Sequence, residues 1–170
     1  MPHGSLPGRF LRHLATDHGS VRRAFPGAAL SRIEGLIGEG EKRHRGQVRF
    51  AVEPALPLAR VLSGISPRER AIEVFGLLRI WDTEENCGVL VYLLLADRDV
   101  EIVADRGIHR RVGEEAWRAV CRKMETAFRD GRFAEGVEAG LAEINALLAE
   151  HYPSEGRASG NELPDRPAVL

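Results

Sequence analysis

Two short stretches hold residues whose types could do chemistry together. Asp82, Glu84, Glu85, Asn86 and Cys87 lie in the first, and Asp105, Arg106 and His109 in the second. Carboxylates beside an asparagine suit a hard cation such as Ca2+ or Mg2+, which takes oxygen ligands. Asp82, Glu84, Glu85, Asn86 and Asp105 are therefore the candidate metal ligands. The spacing is not that of an EF-hand, which needs acids at alternate positions, a glycine and a distal glutamate. Arg106, His109, Arg110 and Arg111 support a competing reading, a clamp for phosphate or for an acidic partner. Trp81, Cys87, Arg106, His109 and Arg110 are the candidate ligand or partner contacts. Plainer readings stand beside these: a solvated acidic loop, a surface histidine, a buried structural cysteine and a tryptophan anchored in the core. His109 could act as a general acid or base. Cys87 would need a neighbouring base to act as a nucleophile. The sequence contains no GxGxxG, P-loop, GxSxG, HExxH or CxxC. It displays no catalytic constellation.

The surrounding periodicities say which elements must position these residues. A first helix is predicted over residues 27–43, with Leu30, Ile33, Leu36 and Ile37 on its apolar face. Ser31 with Glu34 offers an alternative, later start. Gln47–Glu53 alternates as a half-exposed strand. Ser66, Pro67 and Glu69 make a capping box with proline in the first turn, opening a second helix. Residues 88–96, GVLVYLLLA, form a continuous apolar run, the mark of a central strand buried on both faces. A turn at Asp97-Arg98 leads to a strand ending near Ala104, and two further helices follow. The order α-β-α-β-β-α-α is an α/β class domain with helices packed on a small mixed sheet.

That order decides which residues share an end of the sheet. The strand–helix–strand crossover makes the first two strands parallel. The next pair is an antiparallel hairpin, and a turn at Asp97-Arg98 would make paired residue numbers sum to about 195. Gly88 would then face Gly107, and Asn86 would lie near His109. Residues 82–88 and 105–109 thus converge at one end, with the lead-in from His44 to Gln47. Glu53 exits at the other end and drops out. The N-terminus of the helix built on Trp117 is expected to point at the same crevice.

The rest of the chain sets limits. It has 170 residues, a size that buries about 70% of its unfolded surface without disulfide staples. The longest apolar run is well short of the ~18 residues of a membrane span. The net charge of −1 argues against nucleic-acid binding. That charge is uneven: residues 1–25 carry Arg9, Arg12, Arg22 and Arg23 against Asp17, a net +3, and the remainder sums to −4. Residues 1–25 therefore read as a basic arm; the plainer reading is a short arm packed on its own domain or frayed, and contact with a membrane surface or a partner through Phe10, Leu11 and Leu14 is the other. Residues 26–152 read as the folded domain. Residues 153–170, rich in proline and glycine, read as a disordered tail. Cys87 and Cys121 suit a reducing compartment. With no signal peptide or transmembrane helix in view, a cytoplasmic protein is expected.

Residues 71–109 resemble the TPM domain family, named for a thylakoid lumen protein, a photosystem II repair protein and a modulator of acetylcholine receptors. Trp81, Asn86-Cys87-Gly88, the strand Val89–Leu95, Asp97-Arg98-Asp99 and Asp105-Arg106-Gly107 carry the likeness. Phe128, Gly131, Phe133, Gly136 and Gly140 resemble the family's phenylalanine–glycine close, and His44 with Gly46 and Trp-Asp-Thr-Glu resemble a bacterial branch. The resemblance implies an α/β/α sandwich. It implies divalent-cation binding beside the asparagine–glycine loop and weak acid phosphatase activity in some members, and assembly or repair of membrane complexes in others. The family's acidic-acidic-asparagine-glycine loop falls on Glu85, Asn86, Cys87 and Gly88, so Asn86 replaces an acid and Cys87 an asparagine. Three roles are expected. The first is a non-enzymatic accessory domain whose crevice beside 82–88 and 105–109 binds a protein partner or ligand. The alternatives are a Ca2+- or Mg2+-dependent phosphatase and a membrane-surface assembly or repair factor.

Overall fold

The computed structural model describes residues 6–154 and 160–170. In chain order it contains α1 (Leu6–Ala15), α2 (His18–Ala24), α3 (Gly27–Glu41), β1 (Gln47–Glu53), α4 (Leu58–Leu62), α5 (Pro67–Leu77) and β2 (Gly88–Leu94). A 3-10 turn (Leu95–Asp97), β3 (Asp99–Ala104), α6 (Arg106–Val112), α7 (Glu114–Arg129), α8 (Phe133–His151) and β4 (Ala168–Val169) follow. The sheet is mixed, in the order β3-β2-β1-β4. β1 and β2 run parallel, joined by the α4–α5 crossover, and β2 and β3 run antiparallel.

Helices cover both faces of this sheet, and the hydrophobic pattern says why. Phe50, Val91 and Ile102 point into one core, shared with α3, α7 and α8. Ala51, Leu90 and Tyr92 point into the other, shared with α4 and α5. β2 is buried along its whole length, the condition that selects an uninterrupted apolar strand over an alternating one. Ser66 caps α5 as predicted, its side chain accepting from the Glu69 backbone while Glu69 reaches back. Among the described residues no helix is long and apolar enough to cross a membrane.

Several expectations change. α3 starts at Gly27, so Ser31 lies inside it, and it ends at Glu41. The hairpin pairs Leu94 with Asp99, so residue numbers sum to 193. The turn needs the 3-10 residues plus Arg98, whose left-handed φ of 53° closes it. A shift of two residues leaves each side chain on its predicted face. Gly88 therefore meets Asp105, whose N–H donates to the Gly88 carbonyl at 2.8 Å, and Gly107 comes to Asn86.

β1 is buried rather than half-exposed, because each of its outward polar residues has a partner. Gln47 Oε1 accepts from Glu162 N and Leu163 N at 2.8 and 3.0 Å. Glu53 takes Arg70 at 2.9 and 3.0 Å and the Tyr92 hydroxyl at 2.6 Å. Arg49 donates to the Pro164 and Arg166 carbonyls. The tail expected to be disordered thus supplies the partners of Gln47 and Arg49: Leu163 is buried, and β4 pairs with Ala51 and Val52 of β1. Backbone pairing to an open edge, plus one buried leucine, offsets the ordering entropy that its proline-rich composition suggested would win. Residues 155–159 of that tail lie outside the described residues. The stretch read as a basic arm forms α1 and α2.

Candidate functional site

The predicted crevice exists as an open cleft of about 530 Å3 lined by Trp81, Glu85, Asn86, Asp105, Arg106 and Arg110 with Gly107. Close backbone approach builds its floor. A Cβ at Gly88 would lie 2.0 Å from the Ile80 carbonyl, and one at Gly107 2.8 Å from the Asn86 carbonyl. Only glycine lets the 81–88 loop and the start of α6 meet. Asn86 turns the loop with a left-handed φ of 52°, a conformation asparagine tolerates better than most residues. Thr83 Oγ1 accepts from the Cys87 N–H at 2.9 Å.

The acidic side chains of the cleft are mostly committed. Glu85 receives two hydrogen bonds from Arg45, at 3.0 and 2.8 Å, and Arg45 also lies over the Tyr152 ring. Asp82 does not line the cleft and pairs with Arg79 at 2.6 Å. Asp105 Oδ1 accepts from Arg106 N at 2.7 Å, capping α6, while its Oδ2 is buried with no partner among the described residues. Glu84 is outside the cleft lining, where its backbone N–H donates to Glu162 Oε2 at 2.8 Å. Among the described residues no three His, Cys, Asp or Glu side chains converge as a metal site. The candidate ligands do not fit a cage of several carboxylates in this arrangement. One buried oxygen, Asp105 Oδ2, is left without a partner among the described residues.

The basic residues sort differently. α6 is a helix where the periodicity predicts none, so residues one turn apart share a face. Arg106 and Arg110 both line the cleft, and neither is in an ion pair among the described residues. His109 faces a groove between β3 and α7 instead, beside Trp117 and Cys121. Arg111 lies over Tyr152, its ring centroid 4.4 Å away, and donates to the His151 carbonyl. α6 also displaces α7, whose start lines the groove that holds His109 rather than the cleft. Trp81 is 51% exposed, not a core anchor. Ile80 takes the core position, and the left-handed turn at Arg79 swings the next ring outward under the Arg79 guanidinium. Cys87 is buried, and burial pushes its thiol pKa up, away from nucleophile chemistry.

Three supports of the site carried no sequence signal of their own. Arg45 and Tyr152 hold Glu85, and Glu162 braces the loop from the far end of the chain. The His44–Gly46 lead-in did carry one. The His44 ring is buried with Nδ1 3.1 Å from the Gly46 carbonyl and Nε2 3.1 Å from Asn145 Oδ1. Burial keeps its pKa below the usual range.

This geometry defines an α/β/α layered domain whose cleft sits where the parallel strands begin and the hairpin ends. The TPM domain matches residues 23–147, and the chain belongs to that family. Its fold is similar to the solution NMR structure of BA42 protein from the psychrophilic bacterium Bizionia argentinensis. The TM-score is 0.75 at 25% identity, over 86% of this chain and 95% of that one. No curated protein matches the sequence.

Proposed function

We propose that this TPM domain is a non-enzymatic accessory module whose cleft binds an acidic group on a protein partner. One observation carries the reading: Arg106 and Arg110 stand one helical turn apart on the cleft wall, outside any ion pair among the described residues, while Glu85 on the same cleft is already held by Arg45. Paired guanidinium groups bind carboxylates through charge-assisted hydrogen bonds. Trp81 beside them supplies an exposed aromatic surface of the kind enriched at interfaces.

The test is NMR shift mapping during separate titrations with a glutamate-rich peptide, inorganic phosphate, Ca2+ and Mg2+. The peptide is expected to shift residues 81–88 and 105–110, and Arg106→Gln with Arg110→Gln to abolish those shifts. A peptide that shifts nothing there overturns the reading. The orphaned Asp105 Oδ2 favours a second reading, a divalent-cation-dependent phosphatase. Cation-induced shifts at Asp105, with phosphoester turnover lost in Asp105→Asn, would establish that reading in place of the first.

A further inference from the structure

α1 is built inside out. Its buried residues are Arg9 and His13, both of which reach the side chain of Asp97 at the hairpin turn. Arg9 Nε donates to Asp97 Oδ2 at 2.9 Å, and His13 Nε2 lies 3.2 Å from Oδ1. With its polar face anchored inward, the helix must turn its leucines outward. Leu6, Leu11 and Leu14 are 64%, 63% and 63% exposed. Leu62 of α4, which packs on α1, is exposed as well. A helix that only needed to cover the domain would bury these leucines.

The apolar stripe borders a basic hollow. Beside Ala15 of the same helix lies a cavity of about 430 Å3 rimmed by Arg12, Arg23 and Arg98. Among the described residues neither Arg23 nor Arg98 is in ion-pair contact with a carboxylate. Arg98 is held there at the strained φ of 53°. Arg23 donates to Ser20 Oγ at 2.8 Å and Arg98 to the Arg129 carbonyl at 3.2 Å, so both keep their full positive charge. Exposed leucines beside arginines that no carboxylate neutralises are the composition of an interfacial helix on an anionic bilayer, where apolar side chains enter the acyl boundary and cations meet phosphates. A second copy of the chain is a poorer occupant. A two-fold interface would set two basic N-terminal segments against each other, and a few leucines fall short of the area of a stable dimer.

We propose that α1 and the hollow beside it form a docking face for anionic lipid bilayers, with Leu11 and Leu14 entering the bilayer and Arg23 and Arg98 meeting lipid phosphates. The full chain is floated with phosphatidylcholine vesicles and with vesicles carrying about 30% phosphatidylglycerol, a typical anionic content. Recovery is expected with the anionic vesicles and not with the neutral ones, and it should weaken as salt rises. Arg23→Gln and Arg98→Gly should each lower the apparent affinity about fivefold. Leu11→Ser with Leu14→Ser should remove binding. These positions are exposed and glycine accepts the left-handed φ at position 98, so melting transitions no lower than the parent's report that the variants are folded. Equal recovery from both vesicles, or from neither, overturns the proposal, as do variants that float like the parent. A dimer in solution that the leucine pair dissolves, without vesicle binding, assigns the stripe to a second copy and also overturns it.

Discussion

The two ends of the sheet treat charge in opposite ways. At the hairpin-turn end, Asp97 has a fully buried side chain, surrounded by Arg9, Arg12 and His13. Burial would raise its carboxyl pKa, but the contacts with His13 and Arg9 hold it below the ordinary value. His13 Nδ1 accepts from the Leu56 N–H at 3.0 Å, so its ring proton sits on Nε2, facing Asp97. At the cleft end, the ion pairs of Glu85 and Asp82 are solvated, and Arg106 and Arg110 are in none among the described residues. One end uses charge to fix a helix in place, because a buried charge cannot lose its partner cheaply. The other leaves charge in water, where it costs little and stays open to a ligand.

Removing the buried anion is the largest expected effect. Asp97→Ala leaves Arg9 and His13 without their anion and should cost about 3–5 kcal/mol. Denaturant melts at pH 7 measure that cost, and hydrogen exchange should show α1 opening first. Because the native carboxyl titrates below 3.8, its contribution is complete above that pH and fades as pH falls through the lower native value. A cost under 1 kcal/mol would erase the contrast between the two ends.

A buried carboxyl beneath the cleft end sharpens the comparison. Glu41 closes the entrance to β1, accepting from Val48 N at 2.7 Å, and burial raises its pKa to about 7. The folded state then holds a proton that the unfolded state releases near 4.5, so stability falls as pH rises from 4.5 through 7. Glu41→Gln keeps an acceptor for Val48 and removes that loss. It should stabilise the protein by about 2 kcal/mol at pH 8 and have little effect at pH 4.5, as read by urea melts at both. An equal effect at both pH values would mean that folding leaves the Glu41 pKa at its ordinary value.

The smallest effect belongs to the cleft. Glu85→Ala breaks the pair with Arg45 and should cost less than about 1 kcal/mol. A larger loss would show that this end too is held by charge and would weaken the case for a cleft free to bind.

Much of the frame was legible in the chain. The capping box at Ser66 and Glu69, the alternation of β1 and the apolar run of β2 fixed their elements, since each depends on neighbours in sequence. The crossover and hairpin followed from element order, so residues 82–88 and 105–109 were expected at one end of the sheet; Glu85, Asn86, Asp105, Arg106 and Gly107 line one cleft there, and His109 does not. The hairpin register was off by two residues because it depends on a turn conformation, left-handed at Arg98, that no glycine or asparagine advertised. His109 left the cleft because α6 is too short to announce itself by periodicity, yet one helical turn decides which arginines share a face.

The sequence alone determined the α/β class, the parallel core pair and the end of the sheet where polar residues gather, because local patterning and chain connectivity are sufficient for those. Only the tertiary structure decided which charges are spoken for. Glu85 is held from Arg45, Gln47 from the tail at Glu162 and Leu163, and Asp97 from α1 across more than 80 residues. Such partners are chosen by burial: a polar group taken out of water must find a complement wherever the fold places one, and sequence distance sets no limit on where that is.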